Sequence, residues 1–237
     1  MDTSSPGPTE PEHVEVARAE SERGELVLRE RRGGTGPTSL ELRANGVFVM
    51  DTLETSTERA LATAALALVE DPRAVVVGGL GLGFTMHEVL ADSRVERCAV
   101  VEIEEALVGW MRDGTIPHGP ALLADERVHV VVADVAVALA EARPATYDLV
   151  LLDVDNGPGY LVHDANAALY REPFLRTVRE VLRPGGALVV WSAAEAADLE
   201  AALRTAFGGA EGRPHDVRLQ DRDERYWLYV GRVPGPA

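Results

Sequence analysis

The chain has no lysine; all 23 of its basic residues are arginine. A Walker-type phosphate loop, which sets a lysine against the phosphates, is thereby excluded. Cysteine is nearly absent as well. Cys98 alone can form neither an intramolecular disulfide nor a thiolate metal centre, and it accords with a reducing compartment. Positive charge is scarce: 23 basic against 39 acidic residues leave a formal charge of −16. A surface that binds nucleic acid by neutralising phosphates is therefore not expected. No run approaches the ~20 apolar residues that cross a bilayer, and Met1 to Glu22 has no apolar core of the signal-peptide kind. These absences lead to the expectation of a cytoplasmic protein that meets neither nucleic acid nor membrane. An acidic balance suits a cationic ligand. Arginine in place of every lysine, beside abundant Ala, Val and Leu, nevertheless reads as coding bias, so charge is set aside as a guide to substrate.

What the sequence does have is enough apolar residues, 46% of 237, for one large domain with a small appendage. Residues 1–23 carry Pro6, Pro8 and Pro11 among acidic residues without apolar periodicity, and are read as a disordered tail. Residues 24–56 hold the short alternating runs Glu25 to Glu30, Ser39 to Ala44 and Gly46 to Asp51. The Asn45-Gly46 pair between two of them signals a tight hairpin, because both residues tolerate positive φ. A small antiparallel β extension is expected there.

From residue 57 to 233 the texture is that of an α/β domain. A helix is expected over Thr57 to Glu70, capped by Ser56 or Thr57 and ended by Asp71-Pro72. Strand-like runs follow at Ala74 to Val77, Cys98 to Ile103, Val128 to Val132, Tyr147 to Leu152 and Ala187 to Trp191, with helical stretches between them. Such alternation implies a doubly wound, Rossmann-like parallel sheet covered by helices on both faces. Val217 to Gln220 and Arg225 to Val230 have no helix between them and predict a final antiparallel hairpin at the sheet edge, seven strands in all.

The first of these strands runs into Gly78-Gly79-Leu80-Gly81-Leu82-Gly83, and a helix begins near Phe84. Glycines let backbone approach a ligand, and the free N–H groups of the helix start face its polar end. Gly79, Gly81 and Gly83 are thus candidates for cofactor binding. Glu102 lies about 20 residues further on, at the end of the next strand, where a carboxylate accepts hydrogen bonds from two ribose hydroxyls. Asp134 follows the third strand and Asp153 the fourth. Ligands of open α/β sheets bind beyond the carboxyl ends of strands, so these features converge on one rim. A nicotinamide dinucleotide would use the same loop and ribose acid but gives an acid after the third strand no task. Adenosine without a pyrophosphate does, through its amino group.

These residues resemble the spermidine synthase-like family within the S-adenosylmethionine-dependent methyltransferase fold. The resemblance runs from about Glu25 to Arg232. It rests on Asn45-Gly46, Met50-Asp51, Thr57-Glu58-Arg59, the glycine loop, Val101-Glu102-Ile103-Glu104, Ala133-Asp134, Asp153 with Gly157-Pro158, Leu169-Tyr170 and Leu182 to Gly186. It implies S-adenosylmethionine or its decarboxylated form as cofactor, with Glu102 on the ribose and Asp134 on the adenine. It further implies that Asp153 deprotonates or orients an amine, and that the protein is a homodimer. Departures bear on the reaction. Family synthases place an Asp in the glycine loop where Gly81 or Leu82 stands, a Gln at the position of Thr55, and Asp-Glu-x-x-Tyr where Ala60, Leu61 and Ala64 occur. The second Asp after the fourth strand aligns with Asn156. With those amine-holding groups replaced, transfer of a methyl or other alkyl group to a small-molecule acceptor is favoured. Aminopropyl transfer to putrescine is the alternative, and a catalytically inactive nucleoside-binding module a second.

The segment Val154 to Ala168 is long for a βα connection and sits at the ligand rim, where such loops serve as lids. Asp155 or Asn156 is expected to contact substrate there, with Tyr160 and then His163 as weaker candidates. His118 is a candidate to approach the nucleoside. His87 reads as a surface residue, Cys98 as a small buried one, and Trp110, Trp191 and Trp227 as core. No metal site is expected, since no His and Cys cluster has ligand spacing.

Overall fold

The computed structural model describes residues 11–33, 37–155, 157–219 and 222–235. The chain divides into two compact units, Met1–Glu54 and Thr55–Ala237.

The first unit is a four-stranded antiparallel sheet of β1 (Glu12–Ser21), β2 (Gly24–Arg32), β3 (Ser39–Ala44) and β4 (Val47–Asp51), in spatial order β1-β2-β3-β4. The turn between β3 and β4 is the Asn-Gly hairpin that the sequence predicts, with φ of 51° at Asn45 and 77° at Gly46. Asn45 also ties that turn to the start of β2: its Oδ1 accepts from the Glu25 N–H at 2.9 Å and its Nδ2 donates to the Arg23 carbonyl at 3.1 Å. The expectation of a disordered tail over residues 1–23 fails for Glu12–Ser21, which pairs along its whole length with β2. β1 buries none of its residues, so no apolar period marks it in the sequence. The backbone ladder holds it, together with opposed charges such as Glu12 across from Arg32 and Glu15 across from Arg29.

The second unit contains α1 (Ser56–Leu66), β5 (Ala74–Gly78), α2 (Phe84–Ala91), β6 (Arg97–Glu102), α3 (Glu105–Asp113), α4 (Gly119–Leu123), β7 (Val128–Val132), α5 (Val135–Ala140) and β8 (Tyr147–Leu152). A 3-10 helix (Asp164–Tyr170), α6 (Glu172–Val181), β9 (Leu182–Ser192), α7 (Ala197–Phe207), β10 (Glu211–Leu219) and β11 (Arg222–Arg232) complete it. Its seven strands form one sheet in the order β10-β11-β9-β8-β5-β6-β7. β7, β6, β5, β8 and β9 run parallel, and β11 and β10 add the antiparallel hairpin at the edge. This is the doubly wound α/β fold expected from the βαβ alternation.

Val76, Val150, Leu152, Leu188 and Val190 bury one face of the sheet against Leu139 of α5, Leu175 and Val178 of α6, and Leu199 and Leu203 of α7. The alternate residues Val75, Val77, Leu149, Leu151 and Val189 are equally buried but face the other way. Burial on both faces explains why these strands read as unbroken Val and Leu runs.

α1 ends four residues earlier than expected, at Leu66. Beyond it the guanidinium of Arg94 donates to the carbonyls of Leu66, Val69 and Glu70, so the terminal carbonyls are satisfied without further helical turns. Its N-cap is Thr55, and neither Ser56 nor Thr57 caps it. Trp110, Trp191 and Trp227 are half-buried and lie outside the deep core.

Candidate active site at the carboxyl ends of the strands

β5 is the first strand of the sheet in chain order, and its neighbours β6 and β8 come from opposite winding directions. The switch point therefore opens where β5 and β8 end, with Gly78 paired to Leu152 and the next residues, Gly79 and Asp153, side by side. The Asp153 N–H donates to the Gly78 carbonyl at 2.8 Å and the Gly79 N–H to the Val101 carbonyl at 2.9 Å. Gly79 has φ of +94°, and a Cβ there would lie 2.0 Å from the Asp153 carbonyl oxygen. Only glycine can make this turn.

Glu102, the last residue of β6, is buried at 7% exposure. Its Oε2 accepts from the Leu80 N–H and its Oε1 from the Glu104 N–H, each at 2.8 Å. The carboxylate thus clamps the glycine loop from behind. Burial raises its pKa, and the amides of Glu104, Leu80 and Ile103 act in the opposite direction. Asp134 is exposed and caps α5, its Oδ1 accepting from the Ala136 N–H at 2.7 Å.

Asp153 is half-buried as a residue, but its carboxyl lies deep enough for burial to raise its pKa. Opposing that rise, the Thr85 hydroxyl donates to Oδ2 at 2.7 Å. Tyr170 lies close by: burial and then the charges of Asp155 and Asp153 hold its phenol well above the ordinary tyrosine value. Asp155 is buried and accepts from the Val162 N–H at 2.9 Å, which fixes the fold of the following loop. Gly157 holds that loop against the end of β9, where a Cβ would lie 2.3 Å from the Ser192 hydroxyl.

The rim gathers Gly79, Glu102, Asp134 and Asp153, as the sequence predicts, with Asp155 beside Tyr170. Tyr160 is not gathered in, being 63% exposed. Asn156 lies outside the described residues. His163 caps the 3-10 helix by position only, without a side-chain hydrogen bond. His118 stands behind the loop, its Nε2 donating to the Leu82 carbonyl at 2.6 Å and its ring 5.3 Å from that of Phe84. His87 is exposed, with Nδ1 accepting from Arg59 at 3.1 Å. Cys98 is buried and its thiol is pushed up to about 12. Two participants escaped the sequence reading. Thr85 carries no motif beyond following the loop, and Tyr170 is marked only by the family resemblance. Among the described residues no group of His, Cys, Asp and Glu could hold a metal ion, and no helix is long and apolar enough to cross a membrane.

The donor set fits a nucleoside better than a nucleotide. The loop from Gly78 to Gly83 lacks the lysine of a Walker-type phosphate loop. Carboxylates at Glu102 and Asp134 accept hydrogen bonds, as hydroxyl and amino donors require.

Residues 54–204 match the family model described as the spermine/spermidine synthase domain. Putrescine N-methyltransferase 3 of Nicotiana tabacum is 32% identical over 123 residues, covering 51% of this chain and 30% of that protein. Polyamine aminopropyltransferase 2 of Pseudomonas aeruginosa is 32% identical over 130 residues, covering 53% and 35%. The matched region thus spans 30 to 35% of these two curated relatives' length. Among solved structures, spermidine synthase from Thermotoga maritima superposes with a TM-score of 0.76 at 17% identity, over 92% of this chain and 72% of that one. Human methyltransferase-like protein 13 in complex with SAH superposes with a TM-score of 0.55 at 22% identity, over 76% and 83%.

Proposed function

Because the chain belongs to the spermine/spermidine synthase domain family, we propose that it is a transferase that takes a methyl or other alkyl group from S-adenosylmethionine to a small nucleophile such as an amine. One observation carries the reading. The buried Glu102 clamps the glycine loop at the switch point, beside Asp153 and on the same rim as Asp134.

In this reading Gly79, Gly81 and Gly83 admit the donor to the loop backbone, Glu102 holds its ribose hydroxyls, and Asp134 accepts from its adenine amino group. The bound donor supplies a carbon made electrophilic by its sulfonium. Asp153 holds the acceptor ammonium in place and accepts the proton that must leave nitrogen before it can attack. Asp155, which acts on Tyr170 together with Asp153, is assigned to the acceptor side. The reading includes a homodimer in the cytoplasm, as the family resemblance and the lone cysteine lead us to expect.

Aminopropyl transfer from decarboxylated S-adenosylmethionine to putrescine is the second reading, favoured by the match to polyamine aminopropyltransferase 2. Leu82 and Leu61 weigh against it. Both are fully buried and apolar; by the family resemblance Leu61 stands where synthases carry a Glu, and either Gly81 or Leu82 where they carry an Asp.

Calorimetric titration with S-adenosylmethionine, and separately with its decarboxylated form, tests these readings. We expect tighter binding of the intact donor. Preference for the decarboxylated form would transfer the assignment to aminopropyl chemistry, and binding of neither would leave a catalytically inactive module.

A further inference from the structure

Thr85 sits in the first turn of α2, the helix that leaves the glycine loop, and is only 3% exposed. Its hydroxyl has a single proton and two acceptors within reach: Asp153 Oδ2 at 2.7 Å and the Glu58 carbonyl at 3.5 Å. The shorter contact, to a charged acceptor, takes the proton. Asp153 is meanwhile fixed at its other end. Its N–H is bound to Gly78, and its carbonyl lies so close to Gly79 that no side chain fits between them.

We infer that Thr85 is the positioning residue for Asp153: it binds Oδ2, so that Oδ1 is the oxygen that receives the acceptor's proton. The inference rests on the reading of Asp153 as the acid that serves the acceptor, and adds a residue to it.

Two consequences follow from the chemistry. A β-branched side chain in a helix has few rotamers, so the hydroxyl stays aimed and Asp153 is held before substrate arrives. A hydroxyl donor favours the ionised carboxylate, against the burial that disfavours it. Among the described residues, the charged and titratable groups around this carboxyl include Tyr170 from the 3-10 helix, whose phenol also feels the charge of Asp155 from the following loop, while the Glu58 carbonyl from α1 lies by the Thr85 hydroxyl. None of these is a cation. Thr85 thus favours the ionised form of the buried base against its burial, and it does so from the helix that carries the donor loop.

The test compares T85V, which removes the hydroxyl at constant shape, with T85S, which keeps it, and with T85A as a second hydroxyl-free variant. Carbon-13 carboxyl resonances follow the titration of Asp153, assigned by the signal that D153N removes. Transfer to an amine acceptor is followed against pH. In T85V and T85A the Asp153 midpoint and the acid limb of the rate profile should both move to higher pH, with kcat down about tenfold and affinity for S-adenosylmethionine within about threefold. T85S, which keeps the hydroxyl donor, should restore all three. Loss of transfer in D153N together with a wild-type titration and rate in T85V overturns the inference alone, as does a T85S variant that behaves like T85V. Full transfer in D153N overturns the underlying reading, and the inference with it.

Discussion

Strand β8 places one aspartate near its start and another just past its end, and the protein handles them in opposite ways. Asp148 is buried, accepts from the Ala74 N–H at 2.7 Å, and receives Arg183 Nη1 on both oxygens at 3.0 and 2.9 Å. Its charge is answered by a cation, and it pins the amino ends of β5 and β9 to β8. Asp153, roughly 17 Å further along at the usual strand rise, has no arginine paired with it among the described residues, and is offered a single hydroxyl. A carboxylate answered by a cation has little left to do chemically. One that is buried and only partly answered holds free energy that a bound ammonium can release.

Three measurements would break or sharpen this contrast. The largest effect is expected from D153N, which should lower turnover by about 10²- to 10⁴-fold, the usual range for a general base, while calorimetric affinity for the donor stays within about threefold. Unchanged turnover would leave the two aspartates equally structural. Next is D148N, which strands Arg183 and weakens the tie to β5. Arg183 is partly exposed at 38%, so water offsets part of the loss. A cost of about 2 kcal/mol is expected in urea unfolding, with turnover per folded molecule unchanged; a fall in turnover would deny the separation of roles. The smallest effect concerns pH. Burial raises the pKa of Asp153 in the fold above its unfolded value. Folding therefore disfavours its ionised form, a penalty present above the folded pKa and absent below the unfolded one, near 3.9. D153N should be more stable than the parent at neutral pH, and that advantage should vanish as pH falls through the folded pKa. A constant offset across pH would show that Asp153 carries no such penalty.

Much of this arrangement is readable from the chain, because it depends on local rules. The period of the strands, the Asn45-Gly46 turn and the glycine loop each need only neighbouring residues. The acids Glu102, Asp134 and Asp153 are visible because each directly follows or ends a strand. β1 was invisible for the opposite reason: it buries nothing, so no pattern announces it. Thr85 and Asp153 lie 68 residues apart, and His118 and Leu82 lie 36 apart. Those contacts exist only once α2 and the segment before α4 have packed, and no spacing rule reaches across such distances. The exposure of Tyr160 could not be read from the chain, because a loop aromatic looks the same in sequence whether it is buried or faces water.

Cys98 has a practical consequence. With its thiol pushed up to about 12 and its side chain sealed inside β6, the reactive thiolate is on the order of one molecule in 10⁵ at neutral pH. The chain also lacks lysine. A cysteine introduced at an exposed site such as Tyr160 would then be the one thiol open to a fluorescent maleimide. A dye at that place would stand on the loop that follows Asp153, and a change in its emission on adding S-adenosylmethionine would report on that loop.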